Sequence, residues 1–138
     1  MRLPNQGVNY NTLNKTDMAD HNELGEKGEE LARLHLIDNG YKIRETKWRT
    51  GSLELDIIAE KDDTLVIVEV KTRSGAFADN PEQYIDNRKI RNIVNATERY
   101  IMRYDWNGDT RFDVIAVIID GSKSSVEHIE DAFLAPGR

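Results

Sequence analysis

The chain has no cysteine, which excludes a disulfide framework and any thiolate metal site. Its three histidines, His21, His35 and His128, are too few and too scattered for a His-rich zinc site. Any bound metal is therefore expected to be a hard, oxygen-seeking ion such as magnesium or manganese. No stretch approaches the roughly 20 apolar residues of a membrane helix. The opening residues, Met1 to Gly7, lead into no apolar run of the signal-peptide kind. A cytoplasmic location with no membrane attachment is the expectation. Bulk positive charge is missing as well: the net charge is -6, which argues against a protein that coats nucleic acid by overall attraction.

Length and composition suit one domain. The 138 residues are 38% hydrophobic and 32% charged, enough for a single covered sheet and a well solvated surface. The negative excess is concentrated between Asp20 and Glu30 and between Asp113 and Asp131. Between Tyr41 and Arg111 the charges nearly cancel, so a local basic track is compatible with the acidic whole.

Periodicity divides the chain as follows. Residues 1–19, rich in Asn and Thr, are expected to be a disordered tail, and 20–138 the domain. A helix is expected over about Glu23 to Asn39, with Leu24, Leu31, Leu34 and His35 as its apolar stripe, widened by Ala32 and Leu36, and Asn39-Gly40 as its stop. Three strands follow, Tyr41 to Trp48, Leu53 to Ala59 and Leu65 to Thr72, joined by short turns that imply antiparallel pairing. Asn80-Pro81 reads as the cap and first turn of a second helix running to about Tyr104. Strands over Arg111 to Ile119 and, at an edge, Val126 to Phe133 complete the order α-β-β-β-α-β-β, an α/β mixed sheet flanked by helices.

The chemistry is concentrated at Val68-Glu69-Val70-Lys71-Thr72. Glu69 and Lys71 are two apart, so on a strand they share a face. A carboxylate and an ammonium at the end of an apolar strand are costly to desolvate. On the preceding strand, Asp56 alternates with Glu54 and Ile58 on one face, with Leu53, Leu55 and Ile57 on the other. Pairing of the two strands would let Asp56 and Glu69 converge. Two carboxylates that close repel unless a proton or a cation joins them. A divalent cation could take further oxygens from water and from the Val70 carbonyl. Lys71 could then orient a water or stabilise charge on a phosphoryl group, and Arg73 could contact a phosphate. The plainer reading is a surface pair of carboxylates with a Glu-x-Lys salt bridge.

Glu29 lies at the edge of the first helix's apolar face and is a further candidate, although an acid near a helix start also serves the dipole. Gly25 and Gly28 cost helix propensity and suggest close approach of that helix to the sheet, which would bring Glu29 to the site. Arg88, Lys89 and Arg91 read either as a phosphate track or as a solvated helix face. His35 reads as a packed or boundary residue. Trp48 and Trp106 read as one core and one loop aromatic rather than base-stacking platforms.

Four blocks in order carry a resemblance: Leu24-Gly25-Glu26-Lys27-Gly28-Glu29-Glu30-Leu31-Ala32, Asn39-Gly40-Tyr41-Lys42-Ile43, Leu53-Glu54-Leu55-Asp56-Ile57-Ile58-Ala59 and Val68-Glu69-Val70-Lys71-Thr72-Arg73. Together they resemble the YraN-like bacterial proteins, which are similar to Holliday-junction resolvases and to the wider PD-(D/E)xK nucleases. Arg111-Phe112-Asp113-Val114-Ile115 is similar to that family's late strand, and Lys89 to its second-helix lysine. One position departs: Leu53 stands where the family has Gly. The resemblance implies a restriction-endonuclease-like fold, metal ligands at Asp56 and Glu69, a catalytic lysine at Lys71 and a helix-borne acid at Glu29. The functional expectation is a Mg2+- or Mn2+-dependent endonuclease acting on DNA, branched DNA included, and working as a homodimer. The alternatives are a non-catalytic nucleic-acid-binding accessory of the same fold, and a structural domain without nucleic-acid contact.

Overall fold

In the computed structural model, residues 15–75 and 85–135 are described, with side chains from Asn22 onward. The elements are α1 (Lys15–Asp38), β1 (Lys42–Thr50), β2 (Leu53–Lys61), β3 (Thr64–Ser74), α2 (Asn87–Tyr104), β4 (Asp109–Asp120) and β5 (Lys123–Ile129). Their order matches the expected α-β-β-β-α-β-β. The five strands lie in sequence order across one sheet. Three of the four pairings are antiparallel, and β3 with β4 is parallel. That single parallel step is the one that needs a crossover, and α2 supplies it.

The sheet is covered on both faces. Ala32 and Leu36 of α1 pack with Ile57, Ala59, Val66, Val68, Ile115, Val117 and Ile119. Ile93, Ala96 and Tyr100 of α2 pack with Leu55, Ile58, Leu65, Ile67 and Trp48. Alternate residues of β3 thus enter opposite cores, which is why Leu65 to Val68 is an unbroken apolar run. The α1 stripe centres on Gly28, Ala32 and Leu36, one residue per turn. Leu34 was expected on this stripe, but it is 43% exposed. Two residues from Ala32 is a rotation of about 200°, which carries Leu34 to the outer side.

Local chemistry explains the connections and corrects several boundaries. The α1 C-terminus closes through Gly40 at φ 85, with Gly40 N–H on the Ile37 carbonyl and Tyr41 N–H on that of Leu36. Asp62 and Asp63, at φ 52 and 61, make the two-residue hairpin between β2 and β3. Helix α1 begins at Lys15, well before the expected Glu23. Lys15 to Asn22 contains neither Gly nor Pro, so nothing stops the helix propagating backwards. Of the expected tail, residues 1–14 lie outside the described residues, and the remainder is helical.

The expected Asn80-Pro81 start of the second helix also lies outside the described residues. There the cap is Asp86, in extended conformation, whose carboxylate accepts from Lys89 N–H. At the other end, Asp105 adopts the left-handed conformation and closes α2 onto the Ile101 carbonyl. The last strand starts and ends earlier than expected, because it pairs tightly with β4 around Gly121. Beyond Ile129 the chain leaves the sheet, and Phe133 stacks on Phe112 at 5.2 Å instead of extending the strand.

Candidate active site

The site forms where β2 peels away from β3. The ladder between them runs from Lys61↔Thr64 to Ile57↔Val68, and one step further would set Asp56 opposite Glu69. There the backbone pairing stops. The Asp56 carboxylate takes over, its Oδ2 accepting from Val70 N–H at 2.9 Å. Oδ2 therefore lies close to the plane of the sheet, in the position a partner carbonyl would hold.

The strand on the other side is distorted at the same point. β1 and β2 keep one register from Glu45↔Ile58 to Thr50↔Leu53, and Lys47 with Asp56 is the opposed pair that makes no bridge. Lys47 has φ 50, an uncommon conformation for a side chain with a β-carbon. Both strands change face here. Ile57 lies in the α1-side core, whereas Trp48 and Leu55 lie in the α2-side core with Ile58. The expected simple alternation, with Leu53, Leu55 and Ile57 together, fails for this reason: Leu55 and Ile57 face opposite ways, and the turnover is at Asp56.

Around that carboxylate the expected residues assemble. Glu69, 6% exposed, lies beside the Asp56 carboxylate and feels its charge. Two carboxylates this near repel unless a proton or a cation lies between them. Burial and the Asp56 charge push Glu69 up to about 7, against the opposing ammonium groups of Lys89 and Lys71. Burial also raises Asp56, despite the bond from Val70 N–H. Lys71 Nζ stands 3.7 Å from Glu69 Oε1 and Lys89 Nζ stands 3.4 Å from the same oxygen. The pair is thus a buried, electrostatically costly group, and its position is enforced by two core faces.

Glu29 approaches from α1. A β-carbon at Gly28 would collide with the Thr72 hydroxyl and stand 2.7 Å from its methyl carbon. Only glycine lets α1 lie this close to β3. Gly25 has no such role, since a β-carbon there would meet nothing within 4 Å. Burial raises the Glu29 carboxyl, with the Asp56 charge adding to it, while Lys47 at 3.5 Å opposes the shift. Glu29, Lys47, Thr46 and Asp56 line an open cleft of about 300 Å3 on the α1 side. Asp56 is accordingly the group common to two approaches, Glu29 from one face and Glu69 from the other.

The remaining expected residues separate. Lys89 reaches the carboxylate site through Glu69, while Arg88 and Arg91 are exposed on α2. Arg73 is half-buried, with Nη1 donating to the Thr72 carbonyl at 3.2 Å. Lys47 was readable only as one of several cations. Its site role follows from a backbone distortion that no local pattern announces.

A second polar cluster was not anticipated. Asp113, fully buried, accepts both arms of the Arg111 guanidinium at 2.8 Å. It also accepts from His128 Nε2 at 2.7 Å and from Asp131 N–H at 3.0 Å. Arg111 reaches on to the Tyr41 hydroxyl at 2.7 Å, and His128 Nδ1 lies 3.3 Å from His35 Nε2. The available signal was Arg111-Phe112-Asp113, an opposite-charge pair on one face of an apolar strand.

The donors around Asp56 suit a hard cation. Two carboxylate oxygens are available, and the Val70 carbonyl leaves β3 on the same edge as its N–H. Among the described residues, no three His, Cys, Asp or Glu side chains close on one point. A cation held here would therefore complete its shell with water or substrate oxygens, which is the habit of magnesium and manganese. Burial of two like charges supplies the reason to bind one, since a divalent ion removes their repulsion.

Comparison with known proteins gives one consistent match. The family model described as uncharacterised protein family UPF0102 matches residues 28–117. A UPF0102 protein of Phocaeicola vulgatus is 43% identical over 119 residues, covering 86% of this chain and 98% of that one. One from Parabacteroides distasonis is 44% identical, covering 88% of this chain and 100% of that one. The UPF0102 protein FP2501 of Flavobacterium psychrophilum is 44% identical, covering 84% and 98%. No helix among the described residues is long and apolar enough to cross a membrane.

Proposed function

The chain belongs to the uncharacterised protein family UPF0102, and from that footing we propose that it hydrolyses DNA phosphodiester bonds with a magnesium or manganese ion held at Asp56 and Glu69. The observation that carries this reading is the buried Glu69 carboxylate, set beside that of Asp56 and flanked by two ammonium groups. A purely structural site has no evident use for such a costly arrangement.

The roles follow from position. Asp56, Glu69 and the Val70 carbonyl would hold the ion, which when bound supplies Lewis-acid polarisation of a phosphoryl oxygen. Asp56 is fixed by Val70 N–H, so little reorganisation is needed. Lys71 and Lys89 neutralise Glu69 in the free protein. A bound cation would take over that neutralising role, leaving Lys89 free to meet a non-bridging phosphate oxygen and Lys71 free to orient the attacking water. Glu29, on the opposite side of Asp56, is placed to hold a second water or an outer part of the ion's shell. Arg73 continues the line beyond Lys71 and suits the adjoining phosphate. A homodimer would present two such sites to the two strands of a branched junction.

The test is cleavage of branched and linear DNA by the full chain with magnesium or manganese. The wild type should cut, Glu69→Ala and Lys71→Ala should not, and calorimetry should show the ion binding the wild type but not Glu69→Ala. Cleavage that survives in Glu69→Ala belongs to another site or another protein. Absence of ion binding in the wild type favours the accessory reading, in which the fold binds DNA without cutting it.

A further inference from the structure

Helix α2 is the basic exception in an acidic protein. Between Asn87 and Tyr104 it carries Arg88, Lys89, Arg91, Arg99 and Arg103 against the single acid Glu98, whereas the whole chain carries a net charge of -6. At 100° per residue, Arg88, Arg99 and Arg103 fall within a sector of about 60°, with Arg91 about 60° to the other side of Arg88. All four arginines are exposed. The buried residues Ile93, Val94, Ala96, Thr97 and Tyr100 occupy the inner side.

Arginines elsewhere are engaged: Arg33 on Glu30, Arg49 on Glu54 and Arg111 on Asp113. Among the described residues, none of the four α2 arginines lies in an ion pair, and Arg103 rests over the ring of Tyr104. A row of like charges at helical spacing weakens a helix rather than supporting it. Their retention here therefore calls for an external partner.

We propose that the outer face of α2, from Arg88 to Arg103, is the surface that binds the DNA phosphate backbone and leads it to the Asp56–Glu69 site. This rests on the hydrolytic reading above and names how its substrate is held. Three observations select DNA as the occupant. The ridge begins at the site, because Lys89 on the first turn of α2 reaches Glu69. Arg103 lies fifteen residues beyond Arg88, a rise of about 22 Å, close to two-thirds of a turn of B-DNA. The donors are arginines, whose planar forks match phosphate oxygens, and the acidic remainder of the surface repels a polyanion and so directs it to this ridge.

The test is fluorescence anisotropy of the full chain with a labelled duplex in EDTA, so that no cleavage occurs, over a range of salt concentrations. Arg99→Gln and Arg103→Gln should each lower the slope of log affinity against log salt by about 1, with a roughly five- to tenfold loss of affinity at 0.1 M salt. The pair together should lower the slope by about 2. Arg33→Gln, on α1, should leave both unchanged. Thermal midpoints of the Arg99→Gln and Arg103→Gln variants should match the wild type, since these side chains are exposed. Unchanged slope and affinity in the Arg99→Gln, Arg103→Gln double variant would overturn the proposal, as would an equal loss in Arg33→Gln. Ridge-dependent binding without cleavage under magnesium would sink the hydrolytic reading and leave the ridge standing. Cleavage by the double variant at wild-type affinity would do the reverse.

Discussion

Two carboxylate clusters sit in this sheet, and their surroundings push them in opposite directions. Burial alone would raise Asp113, but bonds from His128, Arg111 and the Asp131 N–H outweigh it and hold the carboxyl below its usual range. Among the described residues, Glu69 meets no guanidinium fork and no backbone donor. Its neighbours are a second carboxylate and two flexible ammonium groups, and it is driven up to about 7. The first cluster uses a buried charge to tie β4, β5 and Tyr41, just before β1, together. The second keeps a buried charge in excess at the end of a broken ladder. A fold that stabilises one anion so completely has no difficulty satisfying buried acids, so the raised pair is a property of its place, and such perturbed groups are candidates for a functional site.

The comparison is broken most forcefully from the Asp113 side. Asp113→Ala leaves the Arg111 guanidinium and His128 without their common acceptor, and a loss of roughly 3–5 kcal/mol is expected in chemical denaturation. An effect below 1 kcal/mol would mean the network is ornamental. The opposite sign is expected for Glu69→Gln. A carboxyl whose folded pKa is raised from 4.5 to about 7 adds no penalty below its unfolded pKa. The penalty grows as pH rises between the two values and is complete above them. At pH 8 the variant should therefore be more stable than the wild type by on the order of 2–3 kcal/mol, falling to nothing near pH 4. Equal stability at both pH values would remove the electrostatic cost on which the site argument depends.

The same logic separates the two clusters by titration. Asp113, with its pKa lowered, contributes stability that is present above the unfolded carboxylate pKa and is lost as pH falls through the folded one. Urea midpoints followed from pH 5 downward should show this acid limb, and Asp113→Asn should flatten it. Glu69→Gln should leave that limb alone and change only the slope between about pH 4.5 and 7.

Smaller effects sharpen how the site is positioned. Gly28→Ala forces α1 away from Thr72, a net loss of about 1–2 kcal/mol after the helix-propensity gain. Thr72→Gly in the same chain should recover part of it, giving a coupling energy that a double-mutant cycle can read. Additive losses would show that the close approach has slack. Tyr41→Phe removes the acceptor of one Arg111 bond and should cost about 1 kcal/mol, leaving DNA cleavage unchanged.

Much of this was legible in advance, for local reasons. The apolar runs of β2 and β3, the Asn39-Gly40 stop and the short turn between those strands are local signals, and they made convergence of Asp56 and Glu69 an expectation, conditional on the two strands pairing. Gly28 was read correctly and Gly25 was not, because the same residue type serves different ends and only the neighbouring strand distinguishes them. The Asn80-Pro81 start lies outside the described residues, and the cap at Asp86 was not singled out because an aspartate before a helix looks like many others in so acidic a chain. Lys47 was legible only as one of several cations, because a left-handed lysine has no compositional trace. The Asp113 network escaped because it joins residues from α1, the turn after it, β4, β5 and the segment that follows.

Element order, the unbroken apolar strands and the supply of Asp, Glu and Lys on neighbouring segments were already written in the chain, since helix and strand periodicities are local properties. Whether those acids would be comfortable or costly was not. That depends on which groups arrive from distant segments: a guanidinium, an imidazole and an amide at Asp113, but, among the described residues, another acid and two ammoniums at Glu69. Charge in a low-dielectric interior is governed by its nearest neighbours in space, and these are set by sheet register and by how closely α1 and α2 pack.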